Sequence, residues 1–521
     1  MKVAVVGAGT AGLGAAWALN KYSEHEVHLL EADTRWGGHA NTVKFTRPQG
    51  SAADAGDRPH NVDTGFIVFN KVTYPNFLQF LHLENIQYIA SDMSFAVTRD
   101  RGAFEWSGSG LGSLFAQRIN LLNPAHWRMV WDIVRFNSAA LDVLRQGESG
   151  ESIGEYVARH GYSAAFVDNY LLPMTAAIWS TPPDKAALDF PASTLIRFMH
   201  NHHLMQILGR PTWLTVKNGS HSYVNAILSQ IPAERLQKGV RIHSARNVND
   251  KVVLEAESGE KLEFDHVVFA CHADTTLKIL ERGQAVTSEE REILGGFEFS
   301  KNRAILHADT EASGYHSMLE AARSHMMPKL RSTWSAWNYL TFTDGKKANV
   351  DRVSLTYWMN LLQSIPEGEY GPVLVTLNPP FEPRPGLLVD EYWYQHPLFT
   401  ERHEDGFASG LRVAKEYLNA DLPFDVRHAE RDLPSGFPDQ AMSFVVNVLE
   451  QLRRMLEIPF AGVLFALTVA LTALELGLSA SAGAMNALGI DNKRTLRTKS
   501  TVSRVSTFWR STQVTENRKE K

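Results

Sequence analysis

Six residues near the start of the chain, Gly7-Ala8-Gly9-Thr10-Ala11-Gly12, constrain the fold more than any others. They lie between a short apolar run, Lys2 to Val6, whose valines read as a buried strand, and Ala11 to Lys21, whose small and apolar residues read as a helix packed closely on it. In such a turn the first glycine permits the bend, the second lets backbone approach a pyrophosphate, and the third lets helix and strand touch. Phosphate charge then meets free N–H groups at the helix N-terminus. Thr10 and Ala11 open that helix and share the site.

The pattern alone is weak, and its context strengthens it. Val27 to Leu30 reads as a second strand completing a βαβ unit, and Glu31 follows it, 24 residues beyond Gly7. A carboxylate there accepts both hydroxyls of an adenosine ribose and disfavours a 2′-phosphate. A bare glycine turn accounts less well for strand, helix and acid together. The run from Met1 to Gly7 is too short for the core of a secretion signal, so a cytosolic catalytic region is expected.

Composition removes several other classes. With 52 basic and 57 acidic residues in 521, nothing suggests a nucleic-acid partner. The single cysteine, Cys271, excludes a disulfide scaffold and a thiolate metal cluster, and reads as a buried structural thiol. His200, His202 and His203 share a helical spacing but have no acidic or cysteine neighbour, which favours a solvated or supporting role over metal.

Further along, residues 47 to 61 read as a solvated loop, and 74 to 210 as mostly helical, with amphipathic stretches at Tyr74 to Leu83 and Met129 to Leu144. Short strands return at Val240 to Ile242, Lys251 to Ala256, Lys261 to Phe264 and His266 to Ala270, then at Val353 to Trp358 and Val373 to Leu377. Near the end, 458–478 is about the length of a membrane crossing and a basic tail follows, so a membrane helix and a helix packed on the protein are both open.

The segment Glu31-Ala32-Asp33-Thr34-Arg35-Trp36-Gly37-Gly38-His39 resembles the flavin-containing amine oxidase superfamily, whose members follow the ribose acid with Arg-x-Gly-Gly. The likeness is closer to a branch of predicted NAD/FAD-binding proteins, some fused to or encoded beside cyclopropane-fatty-acid synthases. It rests on Gly37 to Thr42, Asp63 to Asn70, Pro173 to Ser180, Trp334 to Tyr339, Leu355 to Asn360 and His403-Glu404-Asp405-Gly406, and spans roughly residues 1 to 415. The resemblance implies FAD as cofactor. Ala32, Arg35, Gly37 and Gly38 would touch it, His39 stands where many members carry a second arginine, and Thr64, Gly65, the Val240 backbone and Ala270 would complete the contacts. His403 to Gly406 would open the last helix of the cofactor domain. Here this chain departs from its relatives: Tyr394 to Thr400 runs almost directly into His403, where they have some tens of residues between. A second departure is an apparent insertion from Glu311 to Met327.

The expected fold is α/β, a Rossmann-like FAD-binding domain of the GxGxxG type interleaved with an α+β substrate domain, and a candidate C-terminal membrane helix. The cofactor domain would comprise 1–72, 216–295 and 398–420, the mainly helical substrate region 73–215, its β-rich part 296–397, and a C-terminal extension 421–521. The expected activity is hydride transfer from an amine or an unsaturated acyl lipid to flavin N5. The rival is an impaired nucleotide-binding or membrane-associated descendant of such an enzyme. Trp334, Trp337, Tyr339, Tyr357 and Trp358 either line an apolar substrate cavity or fill a core. Asn338, Tyr357 and Asn360 are the polar candidates for contact with substrate. Glu31→Ala should weaken FAD binding by the loss of one or two charge-assisted hydrogen bonds, roughly 1.5–3 kcal/mol each. Fluorescence titration of the apoprotein with FAD checks this, and an unchanged Kd contradicts the role given to Glu31.

Overall fold

The computed structural model describes residues 1–48, 58–146, 150–179, 186–205, 211–312, 324–344, 347–397 and 406–427, together with 446, 448, 449 and 451. The chain divides into two compact units, one of 1–117, 172–187 and 212–430, the other of 118–171, 188–211 and 431–521.

The first unit begins with β1 (Lys2–Val6), α1 (Thr10–Tyr22) and β2 (Glu26–Glu31). Val3, Ala4 and Val5 are fully buried on both faces of the strand, as a central parallel strand requires. The sheet runs in the order Leu236–Lys238, β2, β1, His266–Phe269, with all neighbours parallel. A three-stranded antiparallel meander, Ile242–Val248, Lys251–Ala256 and Lys261–Phe264, lies between its last two strands in sequence. The strand expected at Val240 to Ile242 begins at Ile242, because the Val240 N–H is turned to the Glu31 carbonyl at 2.9 Å instead of into the meander.

Close approach of backbones fixes α1. A Cβ on Gly12 would lie 1.8 Å from the Gly7 carbonyl oxygen, so helix and turn sit closer than any side chain allows. On its other side α1 receives the helix Gly406–Arg412, where a Cβ on Gly410 would lie 2.0 Å from the Ala11 carbonyl oxygen. Trp17 is buried among Tyr22, Phe80 and Phe424, and its indole N–H donates to Glu84 at 2.6 Å.

The same unit carries a seven-stranded sheet in the order Leu388–Pro397, Phe299–His307, Leu374–Leu377, Lys347–Trp358, Trp337–Asp344, Phe95–Arg99, Phe104–Ser107. Its neighbours are antiparallel except for the strands beginning at Trp337 and Phe95. The stretch expected to be mainly helical from 73 to 215 therefore also contains three strands, Tyr88–Ala90 and the two ending in Arg99 and Ser107, and the start of a fourth, Trp213–Val216. These strands are short, and tertiary pairing decides them where local periodicity is weak.

The second unit is helical in its described part. Its longest helix starts at Pro124, earlier than the Met129 expected, because the Asn123 side chain caps it by accepting from the Ala125 N–H. It stops at Ala139, and a separate short helix, Leu141–Gln146, follows. Asp132 is buried and holds Arg128 at 2.9 Å, Arg135 at 2.8 Å and the Ser163 N–H at 2.9 Å. Phe136, Tyr156, Tyr162 and Phe166 pack on one another ring to ring.

Among the described residues no helix is long and apolar enough to cross a membrane, and the candidate crossing at 458–478 lies outside them. Of the 311–327 stretch, Glu311–Ala312 pairs with Ser324–His325, and 313–323 lie outside the described residues. Gly410→Ala should lower stability by about 1–3 kcal/mol, the usual cost of overpacking a tight contact. Denaturant unfolding checks it, and an unchanged midpoint would contradict the described helix contact.

Candidate functional site

The glycine turn is built as a cradle. Gly7 takes φ +107°, a conformation that glycine adopts freely, and its N–H donates to the Leu30 carbonyl at 2.8 Å. Gly9 precedes the first helical residue, Thr10, and a Cβ there would meet nothing within 4 Å. The backbone is thus open on that side while Gly12 is closed against the strand. Such a cradle, with helix N–H groups beside an open glycine, fits a pyrophosphate.

Glu31 closes one end. Its carboxylate accepts from the Ala8 N–H at 2.7 Å and the Asp33 N–H at 2.8 Å, which holds the acid over the turn. Ala32 links it to Asp33, whose carbonyl takes the Gly239 N–H at 3.0 Å beside Val240. Ala270 sits across β1, its N–H on the Val6 carbonyl at 2.8 Å and its own carbonyl 2.8 Å from where a Gly7 Cβ would be.

The Arg-x-Gly-Gly segment folds onto the same turn. Gly37 donates to the Ala8 carbonyl at 3.0 Å, Gly38 lies so close to Gly9 that its Cβ would be 3.0 Å from the Gly9 Cα, and Arg35 donates to the Gly38 carbonyl at 2.6 Å. Gly65 then backs onto His39, where a Cβ would stand 2.3 Å from the His39 carbonyl oxygen. Gly7, Gly9, Thr10, Ala11, Gly12, Glu31, Ala32, Arg35, Gly37, Gly38, His39, Thr64, Gly65, Val240 and Ala270 thus form one contiguous neighbourhood. Gly406 opens its helix, and His403, Glu404 and Asp405 lie outside the described residues.

Two features beside the cradle escaped sequence reasoning. Asp63 is fully buried and accepts from Thr42 Oγ1 at 2.5 Å, the Ser220 N–H at 2.9 Å, Ser220 Oγ at 2.8 Å and Gln363 Nε2 at 2.8 Å. Burial pushes its carboxyl up to about 6 against these donors, which favour the charged form. The three partner residues are scattered from residue 42 to 363, so no local pattern reveals them.

The second feature is a histidine cluster. His39 stands 5.1 Å ring to ring from both Tyr394 and His396, and 6.4 Å from His272. Tyr394 Oη meets Thr64 Oγ1 at 2.6 Å and takes a hydrogen bond from Asn41 at 2.9 Å. Asn302 Nδ2 donates to His396 Nδ1 at 2.8 Å. Burial first, then the imidazoles of His396 and His272 and the Arg35 guanidinium, push His39 down to about 3. Burial and then His272 push His396 down to about 4. Both rings are neutral at pH 7.

The candidates for substrate contact sort differently from expectation. Both amide hydrogens of Asn338 are engaged by the Ser335 and Thr356 carbonyls, at 2.6 and 3.1 Å, and its oxygen takes the Ser335 N–H. Asn360 donates to Ile365 and Gly371 and accepts from Val373 and the Trp358 indole. These two amides brace backbone in the described structure. Tyr357 faces Trp337 edge-on at 5.0 Å. Adjacent strand residues point to opposite faces, so Trp358 leaves that pair and joins Trp334 at 5.5 Å, with the Arg331 guanidinium 3.7 Å from the Trp334 ring. The aromatics form two separate groups, not one wall.

Among the described residues no group of three His, Cys, Asp or Glu could hold an ion, and the half-buried His202 ring meets the Phe198 carbonyl at 3.1 Å. The Cys271 thiol lies 3.2 Å from Thr276 Oγ1, and burial pushes its pKa up, which disfavours a nucleophilic thiolate.

Because His396 titrates below the ordinary 6.5, its contribution to stability is present above that pH and is lost as pH falls towards about 4. Between pH 7.5 and 5 the chain should lose about 2 kcal/mol more than His396→Gln does, read by denaturant unfolding at each pH. Parallel losses in the two proteins would contradict a buried neutral imidazole.

The profile of the flavin containing amine oxidoreductase family matches residues 10–370, more than half of the chain. A search of curated protein sequences finds no match. Among solved structures the chain is similar to cyclohexylamine oxidase from Brevibacterium oxydans IH-35A, at 12% identity over 88% of this chain and 99% of that one, TM-score 0.46. A CLA-producing fatty acid isomerase from P. acnes gives 12%, 82%, 84% and 0.45 in the same order. An oxidoreductase from Methanosarcina mazei gives 15%, 72%, 78% and 0.46. With the profile covering 10–370, from the start of α1 through five strands of the seven-stranded sheet, the chain belongs to the flavin-containing amine oxidoreductase family and is an FAD-dependent oxidoreductase.

Proposed function

We propose that the cradle of Gly7 to Gly12, Glu31, Arg35, Gly37 and Gly38 holds the FAD, with Thr64, Gly65, Val240 and Ala270 around it, and that the enzyme oxidises an unsaturated acyl lipid. The observation that carries the cofactor assignment is Glu31 held at 2.7 Å from the Ala8 N–H, over a glycine whose Cβ position is open. When bound, FAD accepts a hydride, two electrons with one proton, from a substrate C–H bond at flavin N5. The protein's part is to orient the cofactor, exclude water and meet the polar groups of the substrate. His39 and His396, pushed well below the ordinary imidazole range, add no charge at pH 7 beside Arg35.

The substrate class is argued from one unmet donor. The Trp337 indole N–H is buried and meets no acceptor among the described residues, beside the half of the aromatic residues that includes Tyr357. A buried donor left unpaired costs about 1–3 kcal/mol. A protonated amine carries only donors and cannot satisfy it, whereas an acyl carbonyl or carboxylate can. The family's description as amine oxidoreductases favours the alternative reading, an amine substrate.

Anaerobic mixing of the holoenzyme with unsaturated fatty acids and with alkyl amines separates the two. Bleaching of the flavin by the fatty acids alone supports the acyl reading, and bleaching by amines alone overturns it. Trp337→Phe should weaken the acyl substrate about tenfold, the worth of one hydrogen bond, with FAD affinity unchanged. Equal kcat/KM in the variant would remove Trp337 from substrate recognition.

A further inference from the structure

In the second unit, three large aliphatic side chains within four residues stand in water: Ile119 is 71% exposed, Leu121 49% and Leu122 81%. Single exposed apolar residues are ordinary on protein surfaces, but a cluster of three is not. Their exposure is held in place by the backbone. They sit on the short turn Arg118–Leu122, whose middle residue, Asn120, is buried and whose carbonyl accepts the Asn123 N–H at 3.2 Å. The Trp127 indole donates to the Leu121 carbonyl at 2.9 Å, and the Asn123 cap fixes the following helix. Pro124 and Ala125 extend the exposed surface.

The charge along this stretch of chain points to the partner. From Trp106 to Trp131 the sequence contains no Asp or Glu, while Arg118, beside the aliphatic residues, is exposed. A protein partner matched to this surface would be apolar with a single acid. A bilayer of anionic lipid offers apolar chains below a layer of negative headgroups, the arrangement that an aliphatic tip beside an exposed arginine, in a stretch of sequence without carboxylates, fits.

We propose that the Arg118–Leu122 turn is a membrane-docking element that places Ile119, Leu121 and Leu122 in the interfacial region of an anionic lipid bilayer, with Arg118 at the headgroups. This docking does not depend on which substrate the flavin oxidises. It differs from a crossing helix, since three side chains on a fixed turn reach only the interface and bind reversibly.

The test is flotation of the full chain with vesicles of phosphatidylcholine and phosphatidylglycerol, against vesicles of phosphatidylcholine alone. The full chain should float with the mixed vesicles. The variant carrying Ile119→Ser, Leu121→Ser and Leu122→Ser should bind them at least about tenfold less, each lost aliphatic contact reducing the interfacial affinity. Leu122→Trp, which alters one exposed side chain, should shift its emission to the blue on the mixed vesicles and be quenched by brominated lipid. Equal flotation of the triple variant, no flotation of the full chain, or an emission unchanged by vesicles would each overturn the proposal. So would sedimentation showing that the turn is covered by a second copy of the chain without lipid.

Discussion

The structure depends on one close contact, the packing of α1 against the turn that precedes it. Gly12 comes so near the Gly7 carbonyl that a single methyl would lie 1.8 Å away, and this proximity leaves the first helical N–H groups facing the gap beside Gly9. Everything else in the site is stacked on that geometry. Glu31 reaches the Ala8 N–H because β2 lies beside β1, and Gly37 reaches the Ala8 carbonyl because the chain turns back immediately after β2. A larger residue at 12 would move the helix, and with it the alignment of acid, turn and second glycine pair. The helix Gly406–Arg412 holds α1 from behind through an equally close contact at Gly410.

Around this core lies a polar layer that ties distant parts of the chain together. Asp63 draws donors from Thr42, Ser220 and Gln363, and Tyr394 joins Asn41 and Thr64. A buried carboxylate is tolerated only when its oxygens are satisfied, and here every partner comes from a different segment. The layer therefore fixes the seven-stranded sheet, through Tyr394 on its edge strand, to the segment after the glycine pair. The imidazoles of His39, His272 and His396 cluster beside it, and those of His39 and His396 are neutral at pH 7.

Much of the cofactor half was legible in the residues. The βαβ unit follows from Val3 to Val6, the small residues of α1 and the acid after β2, because a parallel strand buried on both faces and a helix packed at glycine distance leave few alternatives. The meander was legible from alternation and from the Ser258-Gly259 turn. What was hidden depended on contacts across the sequence. Asn338 and Asn360 read as polar candidates for contact with substrate, and only the fold shows that backbone carbonyls 335, 356, 365 and 371 engage them. The two aromatic groups separate because Tyr357 and Trp358 alternate across a strand, a fact of register and not of composition. The cap at Asn123 set the start of its helix five residues before the periodic residues suggested. The motif from His403 to Asp405 and the apolar stretch at 458–478 lie outside the described residues, so their expected roles stand on the sequence alone.

Purification of the full chain followed by its visible absorption spectrum and a count of released FAD tests the central claim most directly. A yellow protein carrying about one FAD per chain, released on denaturation, is the result that a cradle closed by Glu31 and Gly38 predicts. A folded, colourless protein that takes up no FAD on reconstitution would contradict it.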